Sequence, residues 1–100
     1  MPDAGDVVWL EFDPQAGHRP AVVLSPASYN DNTGLMVCCP LTTRIKGYPF
    51  EVILASQPGS AVLSDQVKNL DWRARRASRE GKVTDLELRL VRGKLRALIG

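Results

Sequence analysis

One hundred residues, 44% of them hydrophobic and 24% charged, leave room for a single domain over residues 1–100 and are too apolar for a disordered chain. No apolar run approaches the roughly 20 residues of a membrane span, and residues 1–10 lack the basic start and apolar middle of an export signal, so a cytoplasmic protein is expected. The net charge of +2 is uneven: residues 1–50 carry three basic groups against five acidic ones and residues 51–100 carry ten against six, which points to an anionic partner, nucleic acid or an acidic polypeptide.

The first two thirds of the chain read as short strands. Val7–Phe12 lies between Gly5-Asp6 and Asp13-Pro14 and is rich in strand-favouring residues. Pro20 opens Ala21–Leu24, which Ser25-Pro26 closes; so continuous an apolar run predicts a strand buried on both faces or set in a barrel wall. Tyr29–Gly34 reads as a turn-rich connection. Leu35–Thr43 predicts a third strand, broken or bulged at Pro40 because proline cannot donate to a ladder. Phe50–Leu54 alternates as a fourth. Gln57–Ser60 then turns the chain into Ala61–Leu63 and Gln66–Leu70.

The last segment reads as a helix. Thr84-Asp85-Leu86-Glu87 has the form of a capping box, and Leu88, Val91, Leu95 and Leu98 follow at helical spacing as one apolar face. Arg89, Arg92, Lys94 and Arg96 take the remaining surface. Strands followed by one amphipathic helix predict a mainly β fold: a small, strongly bent antiparallel sheet or barrel with a C-terminal helix packed on it.

Cys38 and Cys39 are adjacent, so on a strand they point to opposite faces and are expected to pack as small hydrophobes, not as a disulfide. With His18 as the single histidine, a histidine-rich metal site is not expected. Trp9 and Trp72 are expected in the core or at an interface.

Three stretches could carry chemistry. In Gly17-His18-Arg19-Pro20 a histidine and an arginine are pinned between glycine, which lets backbone approach a ligand closely, and proline, which fixes the entry into a strand. A polar loop is the plainer reading of that pair. Thr42 and Thr43 end the third strand; beside an arginine, such a hydroxyl can hold a phosphate oxygen. Arg44–Phe50 then interleaves two cations with two aromatics, an arrangement suited to single-stranded nucleic acid, although Tyr48 or Phe50 could equally be core. Gln66 could read a base edge or simply close a turn. On residues alone the chain is a basic β-rich domain with a leaning toward RNA or DNA.

The ordered blocks Gly5–Trp9 with Phe12-Asp13-Pro14, Gly17–Pro26, Pro40–Thr43, Lys46–Val52 and Ala61–Lys68 resemble the MazF/PemK family, the toxin half of bacterial type II toxin–antitoxin pairs, over nearly the whole chain. The resemblance implies an SH3-like barrel of the CcdB/MazF kind with a C-terminal helix, assembled as a homodimer. It implies a metal-independent endoribonuclease that cuts single-stranded mRNA at short motifs by 2′-hydroxyl attack and needs no cofactor. Arg19 matches the family's catalytic arginine, here assigned mainly to charge stabilisation since a guanidinium is a poor proton shuttle; Thr42 matches its catalytic threonine. Gly17, His18, Thr43, Lys46 and Gln66 are carried over as substrate contacts. The implied partner is a MazE-like antitoxin whose acidic, disordered tail seeks the positive potential of residues 73–82.

The pattern departs from the family at one place: members closest to it carry a longer loop, with a glutamate and extra glycines, where this chain has only Gln15 and Ala16 between Pro14 and Gly17. Two other readings fit such a domain, a CcdB-type toxin that inhibits DNA gyrase without cutting, and a non-catalytic SH3-like peptide-binding module. Arg19 beside Thr42-Thr43 favours the nuclease.

Overall fold

Alternation along the strands decides the architecture. In the computed structural model, which describes residues 1–13, 15 and 17–100, the elements are β1 (Asp6–Asp13), β2 (Gly17–Val23), α1 (Ala27–Thr33), β3 (Leu35–Thr42), β4 (Glu51–Ile53), β5 (Ala61–Leu63), β6 (Lys68–Asp71), β7 (Ser78–Lys82) and α2 (Asp85–Ile99). Pairing is antiparallel throughout, in the order β4-β5-β3-β2-β1-β7, with β6 also on β3. The result is the expected mainly β fold with a C-terminal helix, a barrel-like sheet that does not close on itself.

Because neighbouring side chains alternate, β1, β2 and β3 bury both faces at Val7-Val8, Ala21–Val23 and Cys38–Leu41, while Trp9, Glu11 and His18 stay on an exposed outer face. Val7, Val22, Cys39 and Leu41 point into a core that also holds Val52, Leu54, Val62 and, from α2, Leu88 and Val91. Val8, Leu10, Phe12, Ala21, Val23, Met36 and Cys38 point the other way, into a second core against Leu70, flanked by Trp72 and Ala77. Cys38 and Cys39 thus occupy opposite cores as free, buried thiols.

Several boundaries differ from the sequence reading. β2 begins at Gly17, not Ala21, so Gly17–Pro20 is strand: Pro20 faces Trp9, Arg19 faces Leu10 and His18 faces Glu11 across the β1 ladder. Pro20 is tolerated because β2 meets β3 only from Ala21 onward, leaving residue 20 paired on one side. The break or bulge expected at Pro40 is absent: β3 runs on from Leu35 to Thr42 and its register with β2 is continuous there. Instead β3 changes partner there, from β6 along Leu35–Cys38 to β5 along Leu41–Thr42. A residue without an N–H stands where the ladder is interrupted, and no donor is orphaned.

The turn expected at Tyr29–Gly34 is the helix α1. It has no side-chain N-cap, so local propensity does not explain it. Tertiary bonds to Asn30 do: its buried side-chain amide donates to the carbonyls of Pro2 and Ser25 and accepts from Ser25 Oγ, while its backbone carbonyl takes the Trp72 indole N–H at 2.8 Å. Gly34, at φ 72, closes the helix in the left-handed conformation that favours glycine. Trp72 is therefore half-buried against α1, whereas Trp9 lies 39% exposed on the outer face of β1.

β7 lies inside the basic stretch and was not foreseen, since SREGK has no apolar alternation; it is recruited as an edge strand on β1. The strand expected at Gln66–Leu70 runs instead from Lys68 to Asp71. α2 starts with the expected capping box at Thr84 and Glu87. Its apolar face is only half used: Leu88 and Val91 are buried and Leu95 is half-buried, but Leu98 is 48% exposed.

Candidate functional site

The β2–β3 register pairs Ala21 with Pro40; continued by two residues it sets Arg19 opposite Thr42. Arg19 then reaches across, donating from Nη2 to the Leu41 carbonyl at 3.0 Å. Its guanidinium carbon sits 5.5 Å from the centre of the Phe12 ring, and Lys68 Nζ lies 4.8 Å from the same ring. The buried Phe12 is thus a floor under two cations. Thr42 Oγ1 accepts the Arg44 N–H at 3.0 Å, which turns the chain at the strand end and leaves the threonine's own O–H free to donate.

These groups line an open depression of about 720 Å³, bounded by Arg19, Leu41, Thr42, Thr43, Arg44 and Ser60. A smaller depression of about 220 Å³ adjoins it and shares Thr42 and Arg44. Lys46, Tyr48, Phe50, Glu51, Asp65 and Gln66 line that second space. Among the sequence candidates, then, Arg19, Thr42, Thr43, Lys46 and Gln66 line two adjoining depressions that share Thr42 and Arg44. Tyr48 is 59% exposed, with Lys46 Nζ 5.7 Å from its ring centre, so it is not core; Phe50 is half-buried.

Gly17 and His18 stand apart from that surface. Gly17 pairs with Asp13, and His18 lies on the outer face of the β1–β2 ribbon, its ring stacked on Trp9 at 5.9 Å and its Nε2 3.9 Å from Glu11 Oε1. Strand alternation explains the split, since neighbours His18 and Arg19 must face opposite ways. Pro14 and Ala16 lie outside the described residues.

Ser60 and Glu51 are among the lining residues that escaped the sequence reading. Ser60 is delivered by the β4–β5 hairpin, where Ser60 N–H donates to the Gln57 carbonyl and Leu54 N–H to the Ser60 carbonyl. Only the hairpin's closure brings it near Thr42. Glu51 opens β4 and turns its carboxylate back onto the preceding loop: Oε1 accepts N–H groups from Lys46 (3.1 Å), Gly47 (2.7 Å) and Tyr48 (3.1 Å), and Oε2 a second contact from Lys46 (3.2 Å).

Much of the charge in residues 73–82 is tied into the fold. Arg73 stacks on Trp72 at 4.6 Å and lies 3.6 Å from Asp31; Arg75 donates to the carbonyls of Glu11 and Phe12; Arg79 lies 3.2 Å from the buried Asp6. Arg73 thus ties the turn after β6 to α1, Arg75 ties that turn to β1, and Arg79 ties β7 to β1. Burial pushes both thiols up to about 12: for Cys38 the nearby Arg75 and Lys68 oppose it, while for Cys39 the neighbouring Cys38 and Asp65 add to it. Both are therefore inert as nucleophiles. Among the described residues no three His, Cys, Asp or Glu side chains converge as metal ligands would, and no helix is long and apolar enough to cross a membrane.

Residues 3–99 match the family described as PemK-like, MazF-like toxin of type II toxin–antitoxin system. The Escherichia coli (strain K12) endoribonuclease toxin MazF is 54% identical over 106 aligned positions, covering 100% of this chain and 96% of the relative. An alignment of 106 positions on 100 residues means the relative has at least six residues that this chain lacks. Among solved structures, MazF from Deinococcus radiodurans superposes with a TM-score of 0.93 at 52% identity, covering 100% of this chain and 97% of that one. A MazE–MazF complex from the same organism gives 0.91 at 52% identity, with coverage of 100% and 96%.

Proposed function

The chain belongs to the family of PemK-like, MazF-like toxins of type II toxin–antitoxin systems, and from that premise we propose that it is an endoribonuclease whose reaction is centred on Arg19 and Thr42. The substrate is single-stranded mRNA, cut at a short sequence motif. The ribose 2′-oxygen attacks the adjacent phosphorus; the 2′-O–P bond forms, the P–O5′ bond breaks, and the products are a 2′,3′-cyclic phosphate and a 5′-hydroxyl. The proton lost from the 2′-hydroxyl is balanced by one gained at the 5′-oxygen, so neither a nucleophilic water nor a metal-bound hydroxide is consumed.

What this chemistry demands is stabilisation of the extra charge on the non-bridging oxygens as phosphorus becomes five-coordinate. Arg19 spends one N–H on the Leu41 carbonyl and keeps the rest of its fork for those oxygens. Because that anchor is the residue before Thr42, the guanidinium and the hydroxyl are held at fixed spacing by one strand end. The Thr42 O–H, its oxygen already engaged by Arg44 N–H, is left as a donor to the same phosphate. Lys46, Tyr48 and Gln66 beside it suit the flanking nucleotide, by charge, stacking and hydrogen bonding respectively. His18, on the opposite face of β2, is not given a role in this centre.

The observation that carries the reading is the shared depression of Arg19 and Thr42 at the open end of β2 and β3. The partner we assign is a MazE-type antitoxin, in keeping with the MazE–MazF complex that this fold matches. An acidic tail would seek the same cations that the RNA does. A homodimer in the bacterial cytoplasm completes the proposal. Incubation of antitoxin-free protein with a long single-stranded transcript in EDTA tests it. Fragments should carry cyclic-phosphate 3′ ends, and Arg19→Ala should leave the transcript intact. An uncut transcript with the unaltered protein would overturn the assignment.

A further inference from the structure

A carboxylate in an RNA site is a liability, because it repels the phosphates that the surrounding cations attract. Glu51 stands in such a place, lining the smaller depression with Lys46, Tyr48 and Gln66. Its charge is not offered to the ligand. One oxygen takes three successive backbone N–H groups, those of Lys46, Gly47 and Tyr48, at 2.7–3.1 Å, and Glu51 N–H closes the circuit by donating to the Tyr48 carbonyl at 3.0 Å. Successive N–H groups aimed at one point form an anion-binding concavity, and here the chain fills it with its own side chain.

The segment needs that clasp. Residues 43–49 belong to no strand or helix and are all exposed. At the start they are held by the bond from Arg44 N–H to Thr42 Oγ1, and thereafter by the bonds to Glu51. Without the clasp the Lys46 ammonium and the Tyr48 ring would each be ordered at the moment of binding, at an entropic cost drawn from affinity.

Resting on the ribonuclease reading above, we propose that Glu51 is a positioning residue: its carboxylate presets the 46–48 backbone so that Lys46 and Tyr48 meet the nucleotide flanking the cleaved bond in one fixed geometry. It touches no reacting atom. Its effect therefore falls on recognition of RNA and on the choice of cleavage site, and not on the bond-breaking step.

The test compares Glu51→Gln with the unaltered protein on a synthetic single-stranded RNA bearing the motif cut in a long transcript, together with amide hydrogen exchange. The amide side chain offers one oxygen to three donors and sets its own N–H₂ against them. KM should rise about tenfold to hundredfold with kcat held within about threefold. Additional sites on the transcript should be cut, and exchange at the N–H groups of Lys46, Gly47 and Tyr48 should accelerate. An unchanged KM overturns the proposal. So does a fall in kcat alone, which would put Glu51 in the chemistry, and so does tighter binding of an uncleavable 2′-deoxy analogue, which would make the carboxylate a stand-in that phosphate displaces. If the unaltered protein cuts nothing, the ribonuclease reading falls by itself and the exchange rates decide this one: exchange unaltered by Glu51→Gln overturns it. Should that variant fail to fold, Glu51→Asp, a methylene too short to reach all three N–H groups, carries the same comparison.

Discussion

Arg19 and Thr42 have different demands on the fold, and their substitutions should separate accordingly. On the proposed reading Arg19→Ala removes the fork assigned to the phosphate, so kcat/KM on single-stranded RNA should fall by about 10²–10³-fold, in the range of a lost transition-state donor. Arg19→Lys keeps the charge but cannot both hold the Leu41 carbonyl and grip two phosphate oxygens, and it should recover only a small part of the loss. Thr42→Ala deletes the acceptor of Arg44 N–H at a half-exposed strand end, costing about 0.5–1 kcal/mol of stability, while cleavage slows markedly. Thermal midpoints measured beside the rates check the distinction. These two residues were legible in the sequence because both sit in short, distinctive blocks. Ser60 and Glu51 were not: a serine in a turn and a glutamate opening a strand carry no local mark, and they come to line the depressions only through the closure of a hairpin and a loop beside Thr42. His18 shows the reverse, a residue of suggestive type that strand alternation sends to the other face.

Among the elements, α2 is bound unevenly along its length. Leu88 is buried in the core shared with Val22 and Leu41, so Leu88→Ala should cost about 2–5 kcal/mol and lower the midpoint by at least about 8 °C. Leu95 only leans on that core, and Leu95→Ala should cost less than about 2 kcal/mol. The first turn of α2 also anchors the β4–β5 hairpin, for Glu87 accepts Thr84 N–H at 2.9 Å and both Ser56 Oγ (2.5 Å) and Ser56 N–H (3.2 Å). Burial alone would raise the Glu87 carboxyl, but the hydrogen bonds from Ser56 and Thr84 together outweigh it and hold the group below its ordinary value of 4.5. A carboxyl depressed on folding stabilises fully above that value, and the stabilisation disappears as pH falls through the lower folded-state value. Midpoints recorded from pH 7 to pH 3 should therefore decline more steeply for the unaltered protein than for Glu87→Gln. The capping box announced α2 in the sequence, whereas α1 could not be foreseen, since it rests on Asn30 bonding to Pro2, Ser25 and Trp72, partners up to 42 residues away.

At the scale of the whole molecule, the three central strands are covered on both sides at Val7-Val8, Ala21–Val23 and Cys38–Leu41, and the thiols of Cys38 and Cys39 are sealed in separate cores. With both pushed up to about 12 by burial, alkylation by iodoacetamide at pH 8 should proceed only through global opening of the sheet. The labelling rate should rise in step with the loss of stability in Leu88→Ala, and fast labelling of the folded protein would contradict the two-core packing. The strand-then-helix order and the double burial of Ala21–Val23 were legible in the pattern of apolar residues. The partner change at Pro40 and the edge strand β7 were not, because both depend on which distant segment arrives alongside.

That long-range closure has a consequence for the making of the protein. β1 is made well before its second neighbour, for β7 ends at Lys82, about 70 residues after β1 ends at Asp13. At translation speeds of roughly 5–20 residues per second, the interval lasts between about 4 and 14 seconds. For about its last 40 residues Arg19 and Thr42 are already synthesised, while the nascent sheet shows one bare side to its surroundings, open to capture by any extended chain that reaches it before its own tail does.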